Sequence, residues 1–230
     1  MRYSHIVTGT FLSRPNRFIA KVLVEGREET VHVKNTGRCK ELLVPGATVY
    51  LEKSDNPTRK TGYDLVTVEK ATSDGVRVVN MDSQAPNKLF EEWARAGHFV
   101  PDLTLLRPEI TWGTSRFDFY WEAGDRKGFV EVKGCTLERE GWTYFPDAPT
   151  LRGVKHLEEL IRAKAEGYEA AVCFVIQMAD VDGFSPNDRT HPEFGRALRR
   201  AAEQGVAVLC RCCAVTPEEV YITQEVPVKL

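Results

Sequence analysis

Residues 170–178 read AAVCFVIQM, broken only by Gln177. A run without polar alternation predicts a central strand buried on both faces. That strand needs covering elements, and the flanking sequence supplies them. Arg152–Glu166 places Val154, Leu157, Leu160 and Ile161 at helical spacing and stops at Gly167. Pro192–Gln204 does the same with Phe194, Leu198 and Ala201 before Gly205, and Val206–Val215 reads as a further strand. Upstream, Pro86–Gly97 puts Leu89, Phe90, Trp93 and Ala94 on one face, with Asn87 as N-cap and Gly97 as C-cap. Three strands follow, Leu103–Trp112, Arg116–Trp121 and Gly128–Val132, the last two joined by a Gly124-Asp125 hairpin turn. Cys135–Thr150 reads as loop.

Before Asp82 the character differs. His5–Phe11, Phe18–Glu25, Thr30–Lys34, Ala47–Lys53, Asp64–Lys70 and Val76–Val79 are short and rich in β-formers. Glu25-Gly26, Pro45-Gly46, Asn56-Pro57 and Asp74-Gly75 separate them, and Arg38–Leu43 suits one helical turn. Short strands at this spacing suggest a small closed barrel, OB-like or SH3-like. The expectation is an α+β chain of two domains: residues 1–82 an OB-like barrel, residues 83–230 an α/β domain.

The 230 residues are 42% hydrophobic and 28% charged, ordinary globular composition. A net charge of −2 argues against coating nucleic acid by bulk charge. The balance is uneven: residues 1–82 hold 13 Lys+Arg against 10 Asp+Glu, residues 83–230 hold 18 against 23. Carboxylates converging in the second segment would suit a divalent cation. No run approaches the ~20 apolar residues of a membrane helix, and the N-terminus lacks an export signal. A cytoplasmic protein with reduced thiols and no membrane partner is expected. Cys210, Cys212 and Cys213 share a strand without zinc spacing, the first two on one face and the third on the other. They read as buried structural thiols.

The segment richest in chemistry is Arg116–Lys133. Glu131 and Lys133 leave the same face of one strand, and a hairpin can bring Asp118 opposite them. Two carboxylates so placed can hold Mg²⁺ or Mn²⁺, and the lysine can orient water or stabilise a phosphorane. Glu109 is a candidate third carboxylate. A solvated ion pair along a half-exposed strand explains Glu131 and Lys133 equally simply.

Arg152, Lys155 and His156 fall in the opening turns of a helix, an anion site or three side chains extended into solvent. Gln177 can reach the site or satisfy a backbone group, and Asp147 reads as a turn or cap residue. In the barrel, Arg14, Asn16, Arg17, Arg38 and Lys40, with Arg59 and Lys60, offer a basic surface. OB barrels pair such surfaces with stacking aromatics. Tyr50 and Tyr63 are available, whereas Phe11 and Phe18 are expected in the core. Asn35-Thr36-Gly37 reads as a tight turn. Arg14, Arg17, Arg38, Lys40, Lys60, Arg116, Arg152, Lys155 and His156 are candidates for nucleic-acid contact or a solvated basic face, and the family resemblance described next favours the contact.

Several stretches carry a family resemblance: RPNRFIAKV (Arg14–Val22), HVKNTGRCKELLVPG (His32–Gly46), EITWGTSRFDF (Glu109–Phe119), FVEVKGCTL (Phe129–Leu137), FPDAPTLRGVKHLEEL (Phe145–Leu160) and the terminal PVKL. The chain resembles the sugar fermentation stimulation protein family, SfsA, almost end to end. The resemblance implies an N-terminal OB-like barrel and a C-terminal domain similar to PD-(D/E)-x-K nucleases. It implies that Asp118, Glu131 and Lys133 occupy the nuclease signature and that Glu109 accompanies them. It further implies a DNA-binding regulator of sugar-utilisation genes. The alternative is an active metal-dependent nuclease acting on DNA or RNA. A weaker third reading is an enzyme acting on a nucleotide or phosphorylated sugar.

Overall fold

A computed structural model describes residues 1–35, 37–73 and 75–230. Parts of the predicted turns at Asn35-Thr36-Gly37 and Asp74-Gly75 therefore lie outside the described residues.

The first domain is built from β1 (Ile6–Asn16), β2 (Ile19–Val24), β3 (Arg27–Val33), β4 (Thr48–Lys53), β5 (Tyr63–Thr72) and β6 (Gly75–Asn80). Their order is β3-β2-β1-β4-β5-β6, and β3 also pairs in parallel with β5 through His32 and Val33. Pairing thus runs from β3 through β2, β1, β4 and β5 back to β3. Alternating residues fill the inside: Val22 and Val24, Val31 and Val33, Val49 and Leu51, with Phe11 and Leu65. All six predicted strands form, because each has an apolar side every second residue. The predicted helical turn over Arg38–Leu43 is a single turn, in which Leu42 N–H and Leu43 N–H both donate to the Cys39 carbonyl. Phe18 also departs from expectation. It follows the β1–β2 turn rather than an inward strand position and is half exposed, while Phe11 is buried as expected.

The second domain opens with α1 (Ala85–Trp93), extended by a wider turn over Ala94–His98 that Gly97 ends at φ 86°. Then come β7 (Leu103–Trp112), β8 (Ser115–Ala123), β9 (Arg126–Cys135), β10 (Leu137–Arg139), β11 (Trp142–Phe145), α2 (Leu151–Ala165), β12 (Glu169–Ile176), β13 (Gly183–Pro186), α3 (Pro192–Glu203), β14 (Ala207–Val215) and β15 (Val220–Glu225). The main sheet has the order β15-β14-β12-β9-β8-β7, with β12 parallel to both neighbours. A small sheet β10-β11-β13 forms inside the segment expected as loop and beyond.

The apolar run behaves as its composition demands. Val172, Phe174 and Ile176 of β12 meet Leu157 and Leu160 of α2 and Phe194 and Leu198 of α3. Ala171, Cys173 and Val175 meet Leu89 and Phe90 of α1 on the other face. Cys210 and Cys212 join the first core and Cys213 the second, all as buried free thiols. Among the described residues no helix is long and apolar enough to cross a membrane.

The domains are tied by buried polar contacts. Glu138 on β10 pairs with Lys70 of β5 at 2.5 Å and Arg77 of β6 at 3.0 Å. Gln177 donates to Asn80 Oδ1 at 2.8 Å and to the Asp82 carbonyl at 3.0 Å.

Candidate functional site

The β8–β9 hairpin sets the geometry. Its last ladder pair is Phe119 with Val130, so Asp118 and Glu131 stand level one step further along. Regular pairing stops there. Phe117 lies in the core under α2 and Phe119 in the core under α1. Residues two apart on a regular strand would share a face, so β8 twists out of its pleat at Asp118. The freed carboxylate takes up the ladder's unused donor, with Oδ2 accepting from Val132 N–H at 2.8 Å. Oδ1 accepts from the Asn87 amide at 2.9 Å.

Asn87 was expected as the N-cap of α1. The helix instead begins one turn earlier, at Gln84, and Asn87 faces the hairpin. Gly134 allows this closeness: a Cβ there would come 2.6 Å from Gln177 Oε1 and 2.7 Å from Pro86 Cγ.

Glu131 is buried, 2% exposed. Its Oε1 receives both Lys133 Nζ and His156 Nδ1. Its Oε2 is buried with no protein partner. Burial alone would raise the Glu131 pKa, but the His156 hydrogen bond and the Lys133 charge outweigh it and hold the carboxyl below its usual range. Asp118 shifts the other way. Burial, then the Glu131 carboxylate, pushes its pKa up against the help of Lys133, Val132 N–H and Asn87.

α2 delivers His156. Thr150 Oγ1 caps the helix by accepting from Gly153 N–H at 3.0 Å, and His156 lies six residues on, facing β9. Arg152 Nε–H donates to His156 Nε2 at 3.4 Å. That nitrogen is then the acceptor, so Nδ1 carries the proton given to Glu131. His156 is buried and turned inward, while Arg152 and Lys155 stay exposed. Lys155 donates to the Thr114 carbonyl at 2.7 Å.

Glu109 sits on β7 between Pro108 and Ile110, which pair with Phe119 and Phe117, so it is level with Asp118. Its φ is 55°, a left-handed conformation that costs a non-glycine residue energy and often marks functional sites. Its carboxylate is exposed and pairs with Arg116 at 3.2 Å, apart from the Glu131 cluster. Among the described residues no three His, Cys, Asp or Glu side chains converge for a metal.

Four of the predicted basic residues do converge. Arg14, Arg17, Arg38 and Lys40 line one cleft of about 600 Å³, to which Ala148 of the second domain also contributes. Arg14 has a special place in it. Its guanidinium donates to the carbonyls of Arg17, Asn35, Gly37 and Arg38 at 2.6–2.9 Å, tying the β1–β2 turn to the loop after β3. Arg17, Arg38 and Lys40 keep exposed heads. Lys60 is exposed on the β4–β5 loop outside the cleft, and Arg59 is held by Asp64 at 2.6 Å. A neighbouring interdomain cleft of about 320 Å³ runs from Gly37 past Asp147 to Gly134, beside Lys133. Asp147 Oδ2 accepts Arg38 N–H at 3.1 Å, so it joins the domains.

Sequence reasoning missed Asn87 and the inward turn of His156. The signal for His156 was present, since it lies on the same helical face as Leu160 and next to Leu157.

These elements define a two-domain class, a mixed helix–strand domain behind an OB domain. Residues 12–79 match the family profile described as the SfsA N-terminal OB domain, and residues 84–219 match the sugar fermentation stimulation protein RE domain. A sugar fermentation stimulation protein homolog from Desulfitobacterium hafniense (strain DSM 10664 / DCB-2) is 56% identical, the alignment covering 100% of this chain and 99% of the relative. One from Clostridium beijerinckii is 53% identical, covering 100% of both. The solved structure of Pyrococcus furiosus SfsA in complex with Ca²⁺ matches with a TM-score of 0.88 at 26% identity, covering 100% of this chain and 98% of that one. The chain belongs to the sugar fermentation stimulation protein family.

Proposed function

We propose that this is a DNA-binding protein with a nuclease-like divalent-metal centre at Asp118 and Glu131. In this reading the ring of paired strands before residue 82 is an OB barrel that binds nucleic acid. The domain from residue 83 onward is of the PD-(D/E)-x-K kind. The observation that carries it is Glu131 Oε2, an acceptor buried without a partner, with the half-buried Asp118 carboxylate level with Glu131 across the hairpin. Leaving such an atom unpaired is costly, and a divalent cation is the partner that also relieves the repulsion. Two carboxylates suit Mg²⁺ or Mn²⁺, which keep several water or phosphate ligands. The P. furiosus relative is described with Ca²⁺, another oxygen-seeking cation. The relatives' name supports a role in regulating sugar-utilisation genes.

Cleavage of phosphodiesters in DNA or RNA is the second reading, and Lys133 favours it. A bound cation there would supply Lewis acidity and a more acidic water. Lys133 and His156 fix the Glu131 carboxylate by sharing Oε1, which leaves Oε2 turned to the site. Lys133 is then placed to orient a water or stabilise charge on the phosphorane. Arg152 reaches solvent from the same cluster and is positioned to meet a phosphate.

The test follows single-stranded and duplex DNA and RNA with Mg²⁺, Mn²⁺ or EDTA. Lys133→Met abolishes metal-dependent cleavage and leaves DNA affinity within about twofold. Arg17→Ala and Arg38→Ala each flatten the log–log salt dependence of binding by about 0.7–0.9. Salt slopes unchanged in both arginine variants contradict the cleft as the DNA face. Cleavage surviving Lys133→Met contradicts the catalytic reading.

A further inference from the structure

Phe18 is 50% exposed at the β1–β2 turn, where a strand-flanking phenylalanine would be expected inside. The Arg17 guanidinium lies over its ring, 5.6 Å from the centroid, and Arg17 lines the basic cleft with Arg38 and Lys40. This surface is held in place. Phe18 N–H donates to Asn16 Oδ1 at 2.9 Å. Arg14 fixes the carbonyls of Arg17 and Arg38 from one guanidinium. None of the ion pairs among the described residues engages Arg17, Arg38 or Lys40. Three unspent cations and an exposed ring therefore sit on one clamped piece of backbone.

A duplex offers such a surface its phosphates but keeps its base faces stacked away. An unpaired strand offers both. We propose that this surface binds an unpaired DNA strand, stacking a base on Phe18 and seating phosphates on Arg17, Arg38 and Lys40. This rests on the nucleic-acid reading above and names the form of the strand. DNA is the strand named in the nucleic-acid reading above, and oligo-U tests whether the sugar matters. Ala148, which also lines the cleft, lies two residues before the Thr150 cap of α2. From that cap to His156 the helix rises about 9 Å, so one short stretch of chain links the edge of the cleft to the partner of Glu131.

The test measures anisotropy of labelled oligo-dT, a duplex of equal length and oligo-U, in EDTA to prevent cleavage. The proteins are wild type, Phe18→Ala, Phe18→Trp and Arg38→Ala. Phe18 is exposed, so its variants fold. Phe18→Ala is expected to weaken oligo-dT binding by about 5- to 150-fold, to leave duplex binding within twofold, and to be rescued by Phe18→Trp. Oligo-dT affinity unchanged in Phe18→Ala, or lost equally for duplex, overturns the proposal. Oligo-U binding more than tenfold tighter than oligo-dT overturns the choice of DNA. If Arg38→Ala weakens binding while Phe18→Ala is silent, the stacking proposal fails and the basic cleft stands. If wild type binds none of the probes, both fail.

Discussion

Glu131 is buried and Asp118 half-buried, and their environments push their charges in opposite directions. Glu131 is held ionised by Lys133 and His156, and Asp118 is pressed towards its neutral form by burial and by Glu131. A group with a raised folded pKa stabilises below its unfolded value, about 3.9 for Asp, and that contribution is lost as pH rises through the folded value. A lowered one, as for Glu131, stabilises above its unfolded value, about 4.3, and loses this as pH falls through the folded value. Asp118→Asn should therefore raise the metal-free melting point at pH 7 by about 2–4 °C, roughly 1 kcal/mol. The Asn87 amide can flip to accept from the new donor. The gain should shrink towards zero near pH 4. Glu131→Gln should lower the melting point, because Lys133 and His156 lose their anion. Thermal unfolding at the two pH values checks both signs, and a shared sign for the two variants contradicts the arrangement. At this scale the sequence was legible where alternation fixes direction. Glu131 and Lys133 share a face of β9 as alternation requires, whereas Asp118 stands where it does because β8 leaves its pleat. The sequence was illegible where partners outside the strand or helix pattern decide a side chain's direction. Arg14 is claimed by four carbonyls and His156 by Glu131, and Phe18 sits in the β1–β2 turn rather than on an alternating strand.

Elements repeat the pattern. β12 could be read directly because seven consecutive buried residues, Ala170–Ile176, leave no polar alternation. The segment after β9 could not. β10 and β11 have three and four residues, too short to show a period of two, and β11 pairs with β13 about forty positions away. Yet β10 carries Glu138, whose side chain, 3% exposed, faces Lys70 and Arg77 of the other domain. Its backbone carbonyl also accepts from Lys70 at 2.8 Å and its carboxylate from Gly141 N–H at 2.6 Å. Removing one charge from a buried cluster strands the others. Glu138→Gln should cost about 3 kcal/mol, seen as a fall of about 6–12 °C in melting temperature. A loss below about 1 kcal/mol would place the union of the domains in the Gln177–Asn80 contacts instead.

For the whole molecule, the two domains share one polar seam, and the basic cleft opens on it beside the loop that starts α2. The cation-rich cleft belongs mostly to the first domain and the carboxylates to the second, which is the charge asymmetry visible in the sequence. Their meeting was not visible, because it depends on Arg38 N–H reaching Asp147 and on Gly37 leaving room for that carboxylate. The central claim is that Asp118 and Glu131 together hold a divalent cation, and calorimetric titration of Mn²⁺ into the full chain tests it most directly. The account predicts one site per chain, lost in both Asp118→Asn and Glu131→Gln. It also predicts a rise in wild-type melting temperature of several degrees at a hundred times the dissociation constant, where binding to the folded state alone adds about 2.7 kcal/mol. Mn²⁺ binding that persists in both variants, or melting of the wild type indifferent to Mn²⁺, would contradict it.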